Sequence, residues 1–203
     1  MAAPTQRLEF WYEFASTYSY LSAMRIEAMA AAAGVAVAWK PFLLGPIFKA
    51  QGWDTSPFNL YPAKGRYMVR DLQRLAAGRG LRFTLPTPFP QNSLAAARLA
   101  LVGGDEGWIA PFTRAVYVAE FDNGADISDV AVLRSILDSL HLDSERIFSR
   151  IAQLDIKQRL KRQTADAQVR GIFGAPSFLC RGELFWGDDR LEAALAWIVH
   201  ERA

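Results

Sequence analysis

Two serines, Ser16 and Ser19, stand three apart in the stretch "EFASTYSYLSAM", where an aromatic run, "LEFWYEF", gives way to residues rich in Ala, Leu and Met. A serine at such a junction can cap a helix, its side-chain oxygen accepting a backbone amide at a gain of about 1 kcal/mol. The same geometry can serve chemistry. The first turn of a helix leaves N–H groups unpaired and carries partial positive charge, so an anion placed there is stabilised. A free thiol, with a pKa near ~8.5, is mostly protonated at neutral pH. Each unit of lowering corresponds to about 1.4 kcal/mol in favour of the thiolate. The junction has no cysteine, and the chain's one cysteine, Cys180, falls in the middle of a later apolar run and reads as buried and inert. The sulfur would therefore come from a bound thiol such as glutathione. On the residues alone, capping and thiolate stabilisation both stay open.

Two other places hold candidate chemistry. In "FGAPSF", Pro176 opens a strand. It is either an ordinary trans proline or a cis one that presents the N–H and C=O of Ala175 to an extended peptide. In "FWGDDR", Asp188 and Asp189 start the last helix. They either cap it and complement its dipole or accept from a ligand ammonium. Trp53, Tyr61, Tyr67 and Trp186 are candidates for an aromatic-lined pocket, whereas Trp11, Trp39 and Phe42 read as core. The basic run "KQRLKRQ" reads as a solvated helix face, and His141 and His200 lie near helix ends.

The elements that must position these residues follow from periodicity. "LEFWYEF", about Leu8 to Phe14, is a buried strand, Ser19 to Ala33 a helix stopped by Gly34, and "VAVAWKPF" a second strand. A strand–helix–strand unit of this length implies a right-handed crossover and parallel strands. The Gly- and Pro-punctuated stretch from Leu43 reads as loop with short helical turns, and "RFTLPTPFPQNS" as an extended connector. Helices are expected over Arg66 to Gly80, Leu94 to Val102, Gly107 to Glu120, Asp129 to Leu140 and Asp143 to Arg170, the last broken near Leu154, with Ser128 and Asp143 as caps. "SFLCR" and "ELFW" form a hairpin before a closing helix. The outline is β-α-β, a helical block, then β-β-α. It describes an α/β, thioredoxin-like fold with a large all-helical insertion: a thioredoxin-like domain from residues 1–42 and 165–203, and an insertion from residues 43–164.

Composition narrows the classes. The chain has 203 residues, 51% hydrophobic, enough for one well-buried domain with an insertion. A net charge of +2 gives no nucleic-acid or polybasic membrane field. One cysteine excludes an internal disulfide, and two distant histidines give no metal constellation. The N-terminus lacks a signal-peptide core, and no apolar run is long enough to cross a bilayer, so a cytoplasmic location is expected.

Five stretches, "FASTYSYL", "FLLGPIFKAQG", "PAKGRYMVRDL", "GIFGAPSF" and "FWGDDRL", run in order from one end of the chain to the other. Together they resemble the 2-hydroxychromene-2-carboxylate isomerases, a glutathione-dependent group with a DsbA-like thioredoxin fold, related to the kappa-class glutathione transferases. The resemblance covers nearly the whole chain. It implies glutathione as cofactor, a small aromatic carboxylate as substrate, aromatic-compound catabolism and a homodimer. It places Ser16 beside the glutathione sulfur, where redox relatives carry the first cysteine of a Cys-x-x-Cys, and Ser19 where they carry the second. It assigns Ala175 and Pro176 as a cis-proline pair binding the cysteinyl part and Asp188 and Asp189 to the γ-glutamyl end. Lys49, Asn59 and Lys64 are aligned more loosely to ligand-binding positions, and a lysine there suits a carboxylate as a point charge. The sequence departs from the pattern at Thr17, where proline is common, and at Pro46, where a second glycine is common.

The activity this implies is a cis–trans isomerisation by reversible thiolate addition. Two other readings fit the same residues: a kappa-like glutathione transferase or peroxidase, which would consume glutathione, and a non-catalytic thioredoxin-fold binding protein.

Overall fold

A computed structural model of the chain describes residues 6–53 and 60–200. Strand β1 (Arg7–Tyr12) is central because both of its faces are apolar: Leu8, Phe10 and Tyr12 on one side and Trp11 on the other are buried. It pairs in parallel with β2 (Ala36–Pro41), with Phe10 opposite Trp39, and antiparallel with β3 (Ser177–Cys180), with Phe10 opposite Phe178. Strand β4 (Glu183–Trp186) completes the hairpin at the edge, giving the order β2-β1-β3-β4.

The β1-to-β2 crossover is made of two helices, α1 (Thr17–Ala23) and α2 (Ile26–Ala32). The single helix expected from the sequence breaks at Met24 and Arg25. The break coincides with a tertiary partner: the Arg25 guanidinium reaches the carboxylate and carbonyl of Asp188 at the far end of the chain. The insertion holds α3 (Leu44–Ala50), α4 (Pro62–Gly78), α5 (Leu94–Glu106), α6 (Ile109–Tyr117), α7 (Val130–Ser139), α8 (Ser144–Ile151) and α9 (Leu154–Val169). Helix α6 runs on into a π-helical turn, Val118–Asp122. After β4, a 3-10 turn (Asp188–Arg190) leads into α10 (Leu191–His200). Among the described residues no helix is long and apolar enough to cross a membrane.

Capping follows side-chain chemistry, with one correction. Asp143 accepts from the Arg146 amide at 3.0 Å, as expected. At α7 the cap is Asp129, which accepts from the Ala131 amide, while Ser128 turns its hydroxyl to Asp126. A carboxylate makes the stronger, charge-assisted bond to an amide, so the neighbouring serine is displaced from that role.

The alternation along the strands divides the core. Leu8, Phe10, Tyr12, Phe178 and Cys180 face α1, α2, α10 and the aromatic wall of α6, where Tyr117 and Phe121 stack. Trp11 and Leu179 face the opposite way, with Phe42 after β2, Ile47 of α3 and Ala167 of α9 in the same cluster. Each large apolar side chain removed from water contributes about 1.5–3 kcal/mol, so β1 alone anchors both layers. The insertion thus closes over the C-terminal end of β1, where the chain turns into α1.

Candidate functional site

At that end the chain makes a tight turn. The Ser16 amide donates to the Glu13 carbonyl at 3.0 Å, and α1 begins at once. Ser16 has the extended backbone of an N-cap; its Oγ accepts from the Ser19 amide at 3.3 Å and donates to the Ala175 carbonyl at 2.9 Å. Capping therefore occurs, and it occurs on the wall of a cavity. The Ala175–Pro176 peptide bond is cis. One hydroxyl ties two segments 159 positions apart in sequence.

The cavity has a volume of about 1170 Å³. Its floor is the turn from Glu13 to Tyr18; the other walls come from the start of α3, one face of α4, the connector around Phe89 to Leu94, and the Phe173–Pro176 and Trp186–Asp189 segments. Trp53, Tyr61, Tyr67 and Trp186 all line it, so the aromatic residues singled out from sequence do converge. Phe173 and Trp186 pack with ring centroids 4.9 Å apart, and the Trp186 indole lies so close to Gly174 that a Cβ there would overlap it.

The two aspartates part company. Asp188 is 3% exposed and held on all sides: Arg79 grips both oxygens at 2.6 and 3.1 Å, the Ser22 hydroxyl donates at 2.9 Å, and Arg25 at 3.3 Å. Its charge is already met by two guanidinium groups. Asp189 projects from the cavity rim, 71% exposed, beside Arg190. Lys64 lines the mouth from the first turn of α4. Lys49 lies exposed in the last turn of α3, outside the lining residues, and Asn59 falls outside the described residues. Ser19 is fully buried behind the wall, so only Ser16 of the pair reaches the cavity.

Several site residues carried no distinguishing motif. Arg25 and Arg79 look like ordinary helix-surface arginines until the fold brings them to Asp188. Tyr18 donates to Asp71 at 2.9 Å across the cavity wall, and burial and the nearby carboxylate push its phenol above the usual tyrosine range. Glu13 is 6% exposed, accepts from the Ser93 hydroxyl, and lines the cavity. Burial raises its carboxyl to about 7, against the opposing pull of the Ser93 hydroxyl and the Ala15 amide. Its signal in the sequence was an acid inside an aromatic run. Behind it lies Glu120, on the π-helical turn, fully buried with neither carboxyl oxygen hydrogen-bonded. Burial, then the neighbouring Glu13 and Asp126, push Glu120 well above the carboxylate range.

Comparison with known proteins identifies relatives of the whole chain. A 2-hydroxychromene-2-carboxylate isomerase of Sphingobium xenophagum is 27% identical over 197 residues, covering 96% of this chain and 99% of that one. One from Pseudomonas putida is 26% identical over 202 residues, covering 97% of each. The solved structure of the selenomethionine form of a 2-hydroxychromene-2-carboxylate isomerase has the same fold, with a TM-score of 0.87 at 24% identity over 97% of both chains. The family described as the DSBA-like thioredoxin domain matches residues 7–198, from the first residue of β1 into the last helix. The chain belongs to the DsbA-like thioredoxin-domain family.

Proposed function

We propose that the protein is a glutathione-dependent isomerase acting on 2-hydroxychromene-2-carboxylate or a similar aromatic 2-oxo acid. The observation that carries this reading is the cavity at the Ser16 turn, walled by aromatic rings and closed by the Ala175–Pro176 segment. The full-length relatives bearing the isomerase name support it. At about 1170 Å³ the cavity exceeds the usual span of small-molecule sites, roughly 300–1,000 Å³, so it has room for two ligands together.

The residues fit glutathione. A tripeptide with one ammonium, two carboxylates and a thiol needs an acid, a cation and a donor at matching places. Asp189 at the rim, 71% exposed and paired at 3.3 Å with its exposed neighbour Arg190, is the acid better placed for a ligand ammonium, since buried Asp188 is engaged by Arg25 and Arg79. Lys64 at the mouth suits a carboxylate. Ser16 suits the sulfur: its hydroxyl can turn from the Ala175 carbonyl to donate to a thiolate, beside the amides of the first turn of α1. When bound, glutathione supplies a thiol that adds to an electrophilic carbon of the substrate and is later eliminated, which frees a double bond to rotate. Ser16 orients and stabilises the charge and is not itself the nucleophile. The rings of Trp53, Tyr61, Tyr67 and Trp186 hold the aromatic partner and exclude water.

Calorimetry with glutathione, followed by turnover of 2-hydroxychromene-2-carboxylate, tests the reading. Wild type should bind and isomerise without loss of free thiol. Asp189→Ala should lose affinity, and Ser16→Ala should bind but raise the pKa of the bound thiol. No binding at millimolar glutathione refutes the glutathione site; binding with thiol consumption points to a transferase instead.

A further inference from the structure

Glu13 has no part in the scheme above, yet it is a buried acid on the cavity lining, in the same turn as Ser16. We propose that the Glu13 carboxylate takes the proton of the bound thiol. The inference rests on the glutathione reading. The oxygen of Glu13 forms an O–H bond as the S–H bond breaks, and the electron pair stays on sulfur. The pocket then holds one negative charge before and after the step. On release of the thiol, the proton returns.

Geometry supports this role in three ways. The Ser16 amide bonds to the Glu13 carbonyl at 3.0 Å, so the two residues open and close one β-turn, with α-carbons within about 7 Å. Glu13 is among the residues lining the same cavity as Ser16 while being 6% exposed. The hydroxyl of Ser93, another residue lining the cavity, donates to its carboxylate.

Burial acts on the titratable groups packed around Glu13 in the same sense. From β1, Tyr12 is pushed above the usual phenol range by burial; from α6, Tyr117 is pushed well above it. From the π-helical turn, Glu120 is pushed well above the carboxylate range by burial, then by Glu13 and Asp126. Glu13 itself is raised by burial to about 7. That value suits a proton acceptor for a thiol, because the two then exchange a proton at little cost. A carboxylate that stayed charged would oppose the thiolate by like-charge repulsion, whereas one that takes the proton removes that repulsion.

The test is a proton count on the whole protein. Glutathione is bound to wild type and Glu13→Gln at roughly pH 8, where free thiol is still largely protonated. Calorimetry in buffers of different ionisation enthalpy gives the protons released, ultraviolet absorbance reports thiolate, and infrared difference spectra report carboxylic acid. The expected result for wild type is thiolate formation with almost no net proton release and a new carboxylic-acid band. For Glu13→Gln, thiolate should form with release of close to a full proton and no band. Thiolate in wild type with a full proton released overturns the proposal, as does binding without thiolate. Both leave the glutathione site standing. Failure of wild type to bind glutathione refutes the site itself and the proposal with it. The wild-type measurement decides the matter even if the variant does not fold.

Discussion

Replacing Glu13 by glutamine should make stability depend on pH differently from wild type, by an amount the structure sets. Folding raises the Glu13 carboxyl from 4.5 to about 7, chiefly by burial. An acid raised in this way binds its proton more tightly in the folded state. Its contribution is fully present below about 4.5 and is lost as pH climbs through about 7. At about 1.4 kcal/mol per pH unit, the full loss is roughly 3 kcal/mol. Glutamine keeps the shape and can still accept from Ser93, but it has no charge to bury. Urea unfolding of wild type and Glu13→Gln, followed from about pH 5 to about pH 8.5, reads Glu13 together with its coupling to Glu120, while groups not coupled to it cancel in the difference. The two proteins should have similar stability at the acid end, and Glu13→Gln should gain about 3 kcal/mol at the alkaline end. For a chain of this size that is a rise of about 6–12 °C in Tm. A difference that stays constant across the range would show that Glu13 has an ordinary pKa in the folded protein, and the argument from burial would fail.

Three further outcomes follow from named contacts. Gly174→Ala should push the Trp186 indole off the cavity wall, changing its fluorescence and weakening binding of aromatic carboxylates by about tenfold, while leaving the α-helical circular dichroism intact. Arg79→Ala should cost about 2 kcal/mol in urea unfolding, because it strips the bidentate partner from a buried carboxylate; the figure is below that for a fully buried pair since Arg25 remains and Arg79 is about a quarter exposed. Asp129→Ala should cost about 1 kcal/mol through loss of the α7 cap, and Ser128→Ala distinctly less, which thermal unfolding of the pair would show.

Glutathione chemistry without a resident cysteine is the reading that unites these features. The Ser16 hydroxyl both caps α1 and faces the cavity. The structural and the chemical roles of the serine are thus one geometry, since a group that satisfies amide donors at a helix start stands where an anion would be welcome.

The local order of elements was determined by sequence alone. The apolar run around Phe10, the Gly34 stop, the hairpin at Arg181 and Gly182 and the α8–α9 break near Leu154 are written in short-range patterns of side-chain polarity and backbone freedom, and these need no partner to be read. The Ser16 junction, the Ala175–Pro176 segment and the cavity aromatics were legible as candidates for the same reason. What the tertiary structure decided was everything that depends on which charges meet. Asp188 and Asp189 are adjacent and chemically identical in sequence, yet one is clamped by Arg25 and Arg79 and the other stands at the rim. The break at Arg25 in the first crossover helix and the exclusion of Lys49 from the cavity lining are likewise invisible to periodicity. Glu13 shows the reason most plainly: a carboxyl's pKa is set by how much water is removed around it, which depends on the segments folded over it, and its hydrogen-bond partners Ser93 and Tyr117 lie 80 and 104 positions away along the chain.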